Sequence, residues 1–369
     1  MDAATKRKAD QISVSCSETC RFGILGTANI AEKNIRAIRE SGVATVVGIA
    51  SRKLEKAEVW AEKFNIPKAF GSYQALLDSD EIDAVYIPLP TTLHKEWATA
   101  AARAGKHVLC EKPVGVAAAE VEEIVAACAA ARVQFMDGVM FMHHRRLGAV
   151  RARLADREAF GEVRHVGLNF CFSASPEFAA TDIRFDPACE PLGCLGDLGW
   201  YCVRFALWVY EWEKPEAVTC IYHTISDKGS KLPTSCTATL KFQGGKSAGF
   251  HCSFESCFTQ TATIFGVHQR LDLDDFVLEL CPERTHFTHT LTAGLQDTAR
   301  RVVTESETHH VEDCCQEVEM IKTFADLVIK VKEQHAEPEL SWGNYSLQTQ
   351  QVLDACIQSA DRNGLLVNV

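Results

Sequence analysis

The sequence has no apolar run long enough to cross a bilayer, no C-x-x-C and no H-E-x-x-H. The first absence excludes a membrane-spanning helix. The other two remove common short signatures of a zinc site or a thiol–disulfide centre. Positive charge is also scarce: 38 Lys and Arg face 49 Asp and Glu, for a net charge of −11. A chain this acidic is not expected to hold nucleic acid or an anionic membrane surface. Met1 to Cys20 is polar, with basic residues near its start and no apolar segment behind them. It reads as a loose arm rather than a signal peptide, and the protein is expected to be cytoplasmic.

Cysteine, in contrast, is plentiful. Sixteen cysteines and 13 histidines are scattered without ligand spacing, and Cys314 and Cys315 are adjacent. In a reducing compartment such cysteines are mostly small buried apolar residues, so no metal is expected. The length of 369 residues, 47% apolar and 24% charged, suits a globular chain of two domains.

Phe22 to Ala31 is the stretch around which the chain is organised. Phe22, Ile24 and Leu25 form an apolar run that meets Gly26, and Ile30, Ile35 and Ile38 then recur at helical spacing. A buried strand turning through glycine into a helix aims free backbone N–H groups and the positive helix end at an anion, a natural pyrophosphate cradle. Ala28 and Ala31 stand where the second and third glycines of G-x-G-x-x-G would be. A bare strand–helix turn with no ligand is the alternative at this point.

Alternation of strand and helix continues to Met142. Thr45–Ala50, Asp83–Ile87, His107–Cys110 and Val133–Phe141 have strand character. Lys53–Phe64, a helix ending at Ala104 and Ala117–Ala131 have helical character. Such units form a parallel sheet covered by helices, with ligands beyond the carboxyl ends of the strands. The second strand ends in Ser51-Arg52-Lys53, with no acid to accept from a ribose 2′-hydroxyl. A hydroxyl and two cations suit a 2′-phosphate, so NADP is expected, with NAD as the alternative. A solvated first helical turn is the plain reading of the same residues.

The segments Gly26–Ala31, Ser51-Arg52, Pro90–His94, Glu111-Lys112-Pro113 and Gly196–Tyr201, with Ser341-Trp342 and the Gln348–Ala360 helix, resemble the Gfo/Idh/MocA oxidoreductases. Within that family they are most similar to the branch of dihydrodiol dehydrogenases, xylose dehydrogenases and glucose–fructose oxidoreductase. The resemblance implies an α/β chain. An N-terminal Rossmann dinucleotide-binding domain would span residues 21–142. A C-terminal α+β domain, residues 143–369, would carry a large open, mostly antiparallel sheet, often used for dimerisation. It also implies cofactor contacts from Gly26, Thr27, Ala28, Asn29, Ile30, Ser51, Arg52, Pro88, Leu89, Pro90, His94, Glu111 and Lys112. A homodimer is expected.

The candidate chemistry makes sense residue by residue. Lys112 follows a buried strand and precedes Pro113, whose fixed φ stiffens the turn, so an ammonium stands at the ligand-bearing edge of the sheet. Asp197 and Tyr201 lie four apart at the start of a helix expected over Leu198–Tyr210, hence on one face. Oxidising an alcohol needs a group that removes the hydroxyl proton. The reference pKa of Tyr, about 10, is too high for that unless a cation such as Lys112 lowers it. Tyr201 is therefore the candidate acid/base, Lys112 its electrostatic partner and substrate clamp, and Asp197 a substrate or orienting group. In many relatives the position matching Tyr201 is His. A surface Lys112 and a Tyr201 that merely packs are the plain alternatives. Glu111 would position Lys112, His94 is a cofactor contact or a cap, and Phe141 to Arg145 is pocket lining or hinge.

Beyond the crossover the short strands Gly161–Phe170, Ala217–Tyr222, Ser235–Phe242, Ser247–Phe254, Thr261–Gly266 and Arg270–Asp274 suggest an antiparallel sheet. Phe250, Cys252 and Phe254 alternate as a core face or a subunit interface would. The expected activity is hydride transfer between NADP and a hydroxyl or carbonyl of a sugar, polyol or cyclic trans-dihydrodiol. A non-catalytic NADP(H)-binding sensor or scaffold is the second reading.

Overall fold

The computed structural model describes residues 19–226, 232–281, 284–296 and 301–369; the expected N-terminal arm, up to residue 18, lies outside them. Cys20 already belongs to the first strand rather than to the arm. The parallel strands are β1 (Cys20–Leu25), β2 (Ala44–Ala50), β3 (Lys68–Phe70), β4 (Ala84–Ile87), β5 (His107–Cys110) and β6 (Phe135–Asp137). They lie in the order β3-β2-β1-β4-β5-β6, all parallel. β4 and β5 are buried at every residue, as strands covered on both faces must be. Between the strands run α1 (Asn29–Glu40), α2 (Leu54–Lys63), α3 (Tyr73–Leu77), α4 (Thr91–Arg103) and α5 (Ala118–Ala130).

The last strand is shorter than its apolar run suggested. After Asp137 the chain passes Gly138 into a 3₁₀ turn, Met140–His143, instead of continuing as strand to Phe141. Buried Asp137 is the reason: it pairs with Arg204, whose side chain is also fully buried, and accepts from the Ser346 hydroxyl at 2.8 Å. Those partners come from distant elements, so the strand ends where its carboxylate is needed.

α6 (Arg145–Ala155), β7 (Val163–Ser173), α7 (Pro176–Thr181), a π-helical turn (Leu195–Gly199) and α8 (Trp200–Val209) follow. Then come β8 (Ala217–Ile225), β9 (Pro233–Lys241), β10 (Ser247–Ser253), β11 (Glu255–Gly266), β12 (Arg270–Leu273), β13 (Arg284–Gln296) and β14 (Arg301–Glu312). α9 (Gln316–Gln334), α10 (Ser341–Asp361) and β15 (Val367–Asn368) close the chain. The second sheet has nine strands in the order β14-β13-β12-β11-β7-β10-β9-β8-β15. Among its pairs, β7–β10 is parallel and the others are antiparallel.

Phe250, Cys252 and Phe254 belong to the core, not to an interface; none is more than 2% exposed. Ile221 and Phe265, on β8 and β11, are exposed. α9 and α10 pack back on the first sheet's layer. Phe324 lies 5.6 Å from Phe22 between ring centroids, Lys33 bonds Glu317 at 2.7 Å, and the Ala118 N–H donates to Asp354 at 2.8 Å. No helix among the described residues is long and apolar enough to cross a membrane.

Candidate active site

Gly26 ends β1 with φ +113, a value side chains rarely adopt, and a Cβ there would lie 3.0 Å from Leu89. Its N–H donates to Ala50 O at 2.9 Å, tying the turn to the end of β2. Ala28 is the N-cap of α1 and offers no side-chain cap, so backbone N–H groups of the first turn stay available to a ligand. This turn therefore fits a dinucleotide pyrophosphate.

Thr27, Ala28, Asn29, Ile30, Pro88, Leu89, Glu111, Lys112, Asp197 and Tyr201 all line one cleft of about 860 Å³. Gly26, Ser51, Arg52, Pro90 and His94 do not. Ser51 is buried and its N–H is bonded to Phe70 O at 3.1 Å. Arg52 is exposed and makes no ion pair among the described residues; its charge acts on Tyr73, whose hydroxyl faces Gly26. Pro90 caps α4. His94 is buried, with Nδ1 2.7 Å from Pro113 O and Nε2 2.7 Å from Leu89 O. Burial draws its pKa down to about 4 against the opposing pull of the two carbonyls, and both ring nitrogens face the protein's own backbone rather than the cleft.

At the far end of the cleft the two halves of the chain meet. Lys112 Nζ donates to Asp197 Oδ1 at 2.6 Å and to its backbone carbonyl at 2.9 Å, and lies 4.8 Å from the centroid of the Tyr201 ring. Asp197 does not open a regular helix, as its spacing to Tyr201 suggested; it sits in the π-helical turn ahead of α8. Such turns are uncommon and concentrate at functional sites. Gly193 makes the approach possible: its φ is +53, and a Cβ would fall 2.2 Å from Pro233 O.

Glu111 sets the turn that carries Lys112. Its Oε1 accepts from the Tyr86 hydroxyl at 2.6 Å, which in turn accepts from Asn34 at 2.6 Å, and its Oε2 accepts from the Lys112 N–H at 3.3 Å.

The charge states follow from these contacts. Burial by itself would raise Asp197, but Lys112 and Arg184 outweigh it and hold the carboxyl at about 2. Burial disfavours the Lys112 ammonium, yet Asp197 reverses the effect and the group stays firmly charged. Burial pushes the Tyr201 phenol well above its ordinary value, with Lys112 only partly opposing it. The expectation that Lys112 would bring Tyr201 below 10 is thus corrected. The ammonium is matched by Asp197, and the phenol is protonated at neutral pH.

Two residues were not foreseen. Arg184 Nε donates to Asp197 Oδ2 at 2.9 Å, so the carboxylate is held by cations at both oxygens. Glu190, from the same irregular segment, accepts from the Thr91 N–H at 3.0 Å and its hydroxyl at 2.6 Å, at the start of α4. No periodic signal marks either residue. Phe170, Phe172, Phe178 and Phe258 add an aromatic wall to the cleft. Of Phe141 to Arg145, none lines it. Phe141 is in the core, His143 stacks on Trp342 at 4.7 Å, His144 caps α6, and Arg145 bonds backbone carbonyls of Glu312 and Asp313. Their neighbour Met140 does line it and lies 3.9 Å from the Tyr201 hydroxyl.

The chain is similar to known proteins over both of its halves. Residues 20–139 match the model of an oxidoreductase family with an NAD-binding Rossmann fold, and residues 149–272 match the GFO/IDH/MocA C-terminal domain. The chain is 37% identical to D-xylose 1-dehydrogenase (NADP(+)) 2 of Haloferax volcanii, over 68% of this chain and 74% of that protein. It is 34% identical to trans-1,2-dihydrobenzene-1,2-diol dehydrogenase of Mus musculus, over 67% and 72%. Its fold is similar to that of KijD10, a 3-ketoreductase from Actinomadura kijaniata crystallised with NADP and TDP-benzene. The TM-score is 0.80 at 27% identity, covering 92% of this chain and 98% of the other. By its sequence over both halves and by its fold, the chain belongs to the Gfo/Idh/MocA family of oxidoreductases.

Proposed function

We propose that this protein is an NADP-dependent oxidoreductase that interconverts a hydroxyl and a carbonyl on a sugar, polyol or cyclic trans-dihydrodiol. One observation carries the reading: the Lys112–Asp197–Tyr201 cluster closes the same cleft that begins at the uncapped end of α1. The relatives named above act on a sugar and on a dihydrodiol, and two of the three proteins carry NADP in their names or crystals. Gly26 to Ile30 would hold the pyrophosphate, and Ser51 and Arg52 the adenosine end with its 2′-phosphate. Bound NADP(H) supplies or accepts the hydride.

The protein's own part is proton control and positioning. Tyr201, as a buried neutral phenol, donates its proton to a carbonyl oxygen during reduction and takes it back during oxidation. Lys112 stabilises the phenolate left behind and orients the substrate oxygen; Asp197 and Arg184 hold the ammonium in place. Residues 21–142 form the nucleotide domain, and residues 143–369 supply Tyr201, the aromatic wall and, through the open sheet face bearing Ile221 and Phe265, a homodimer contact. The cytoplasm is the expected compartment.

Purified protein should oxidise NADPH, or reduce NADP, with at least one member of a panel of aldoses, polyols and trans-dihydrodiols. Tight NADPH binding with no turnover across that panel contradicts the reading and favours a sensor. Light scattering tests the dimer.

A further inference from the structure

Three cysteines with no common sequence spacing meet beneath the turn that carries Asp197. Cys194 immediately precedes that turn, while Cys236 on β9 stands directly opposite Cys252 on β10. Cys236 Sγ lies 3.2 Å from Cys252 Sγ and 3.9 Å from Cys194 Sγ, and the three sulfurs are all within 4.8 Å of one another. All three residues are fully buried. An atom equidistant from sulfurs so placed sits about 2.3 Å from each, the length of a metal–thiolate bond. A buried cysteine ordinarily behaves as a small hydrophobe. Three sulfurs from three separate elements converging on one point form a ligand set instead.

Charge selects the ligand. No charged side chain bonds to any of these sulfurs among the described residues. Three thiolates around Zn²⁺ would leave one negative charge in the core, and around Cu⁺ two, each costly without a counter-ion. A trivalent arsenic centre with three thiolates is neutral. We propose that Cys194, Cys236 and Cys252 form a binding site for a trivalent arsenical, taken up as uncharged arsenous acid. Three S–H and three As–OH bonds break, three As–S bonds form and three waters leave. No electron changes hands and no net charge remains.

The site adjoins the cleft. A Cβ at Gly199 would lie 3.6 Å from Cys252 Sγ, and Cys194 is three residues before Asp197. The cysteines therefore lie directly against the turn that bonds Lys112.

The competing thiols are Cys220, which contacts Cys236 from β8, and the adjacent pair Cys314 and Cys315, of which Cys315 is exposed. The test uses the reduced protein carrying C220S and C315S with arsenous acid, read by non-denaturing mass spectrometry. The expected product carries one arsenic and has lost three hydrogens, and arsenic X-ray absorption shows three sulfur neighbours. C236S and C252A, made separately so that one misfolded variant does not decide the matter, each abolish that product. Persistence of the adduct in a folded variant, a two-hydrogen adduct alone, or no adduct overturns the proposal. So does stoichiometric zinc in the protein as isolated that is lost in C236S. Mass is the readout, so failure here is distinct from failure of the proposed oxidoreductase activity.

Discussion

The Lys112 ammonium lies 4.8 Å from the centroid of the Tyr201 ring while two of its three N–H groups are taken by Asp197. The cation therefore tempers the phenol without fully ionising it, and burial keeps Tyr201 protonated. Carbonyl reduction should accordingly be level across neutral pH and fall only as pH rises through the elevated phenol pKa; alcohol oxidation should rise over the same alkaline range. In Y201F both rates drop by roughly 10²–10⁴-fold and the alkaline limb disappears. Pre-steady-state rates against pH check this.

Arg184 is a positioning residue, since it reaches Lys112 only through Asp197. R184A should lower kcat by roughly tenfold or more while the NADPH dissociation constant stays close to wild type. R184K should recover part of the loss. Equal damage to kcat and NADPH affinity would indicate a cofactor contact instead.

Arg52 has no ion-pair partner among the described residues and projects beside the end of β2, where a 2′-phosphate would lie. R52E should weaken NADP binding by roughly 10²-fold and leave NAD binding nearly unchanged. Calorimetric titration with both nucleotides measures the ratio.

Glu279 should give the stability curve a recognisable slope. Burial, and secondarily Glu317, raise its carboxyl from 4.5 to about 7 in the folded state. A raised acid favours its neutral form, so its contribution is fully present below about 4.5. It is lost as pH rises through about 7. E279Q retains an acceptor for the Gln316 N–H and removes the ionisation. At pH 8 it should be more stable than wild type by on the order of 2 kcal/mol, and at pH 4 by almost nothing. Urea unfolding at the two pH values reads the difference.

The first half of the chain was legible because each strand–helix unit carries its own local signal. Apolar runs such as Val85–Ile87 and Val108–Cys110 end at glycine, proline or a charged turn, and Gly105 stops α4 with φ +70. Lys112 stood out by its strand-end position, and Asp197 and Tyr201 by their spacing and the family resemblance; the structure brings the three together. Arg184 and Glu190 were not legible, because their segment is irregular and only tertiary contacts bring it over the cleft. β13 and β14 were missed for another reason: Thr, His and Glu dominate them, leaving little apolar alternation to see. The carbonyls that His94 faces were not legible either, since Pro113 lies on a different turn nineteen residues on. The cysteine trio is invisible to spacing rules, since its members lie on three elements.

K112M tests the central claim most directly, with NADPH affinity and turnover measured side by side. Turnover should fall by roughly 10²–10³-fold while the NADPH dissociation constant changes less than about threefold. Full turnover in K112M would contradict the account.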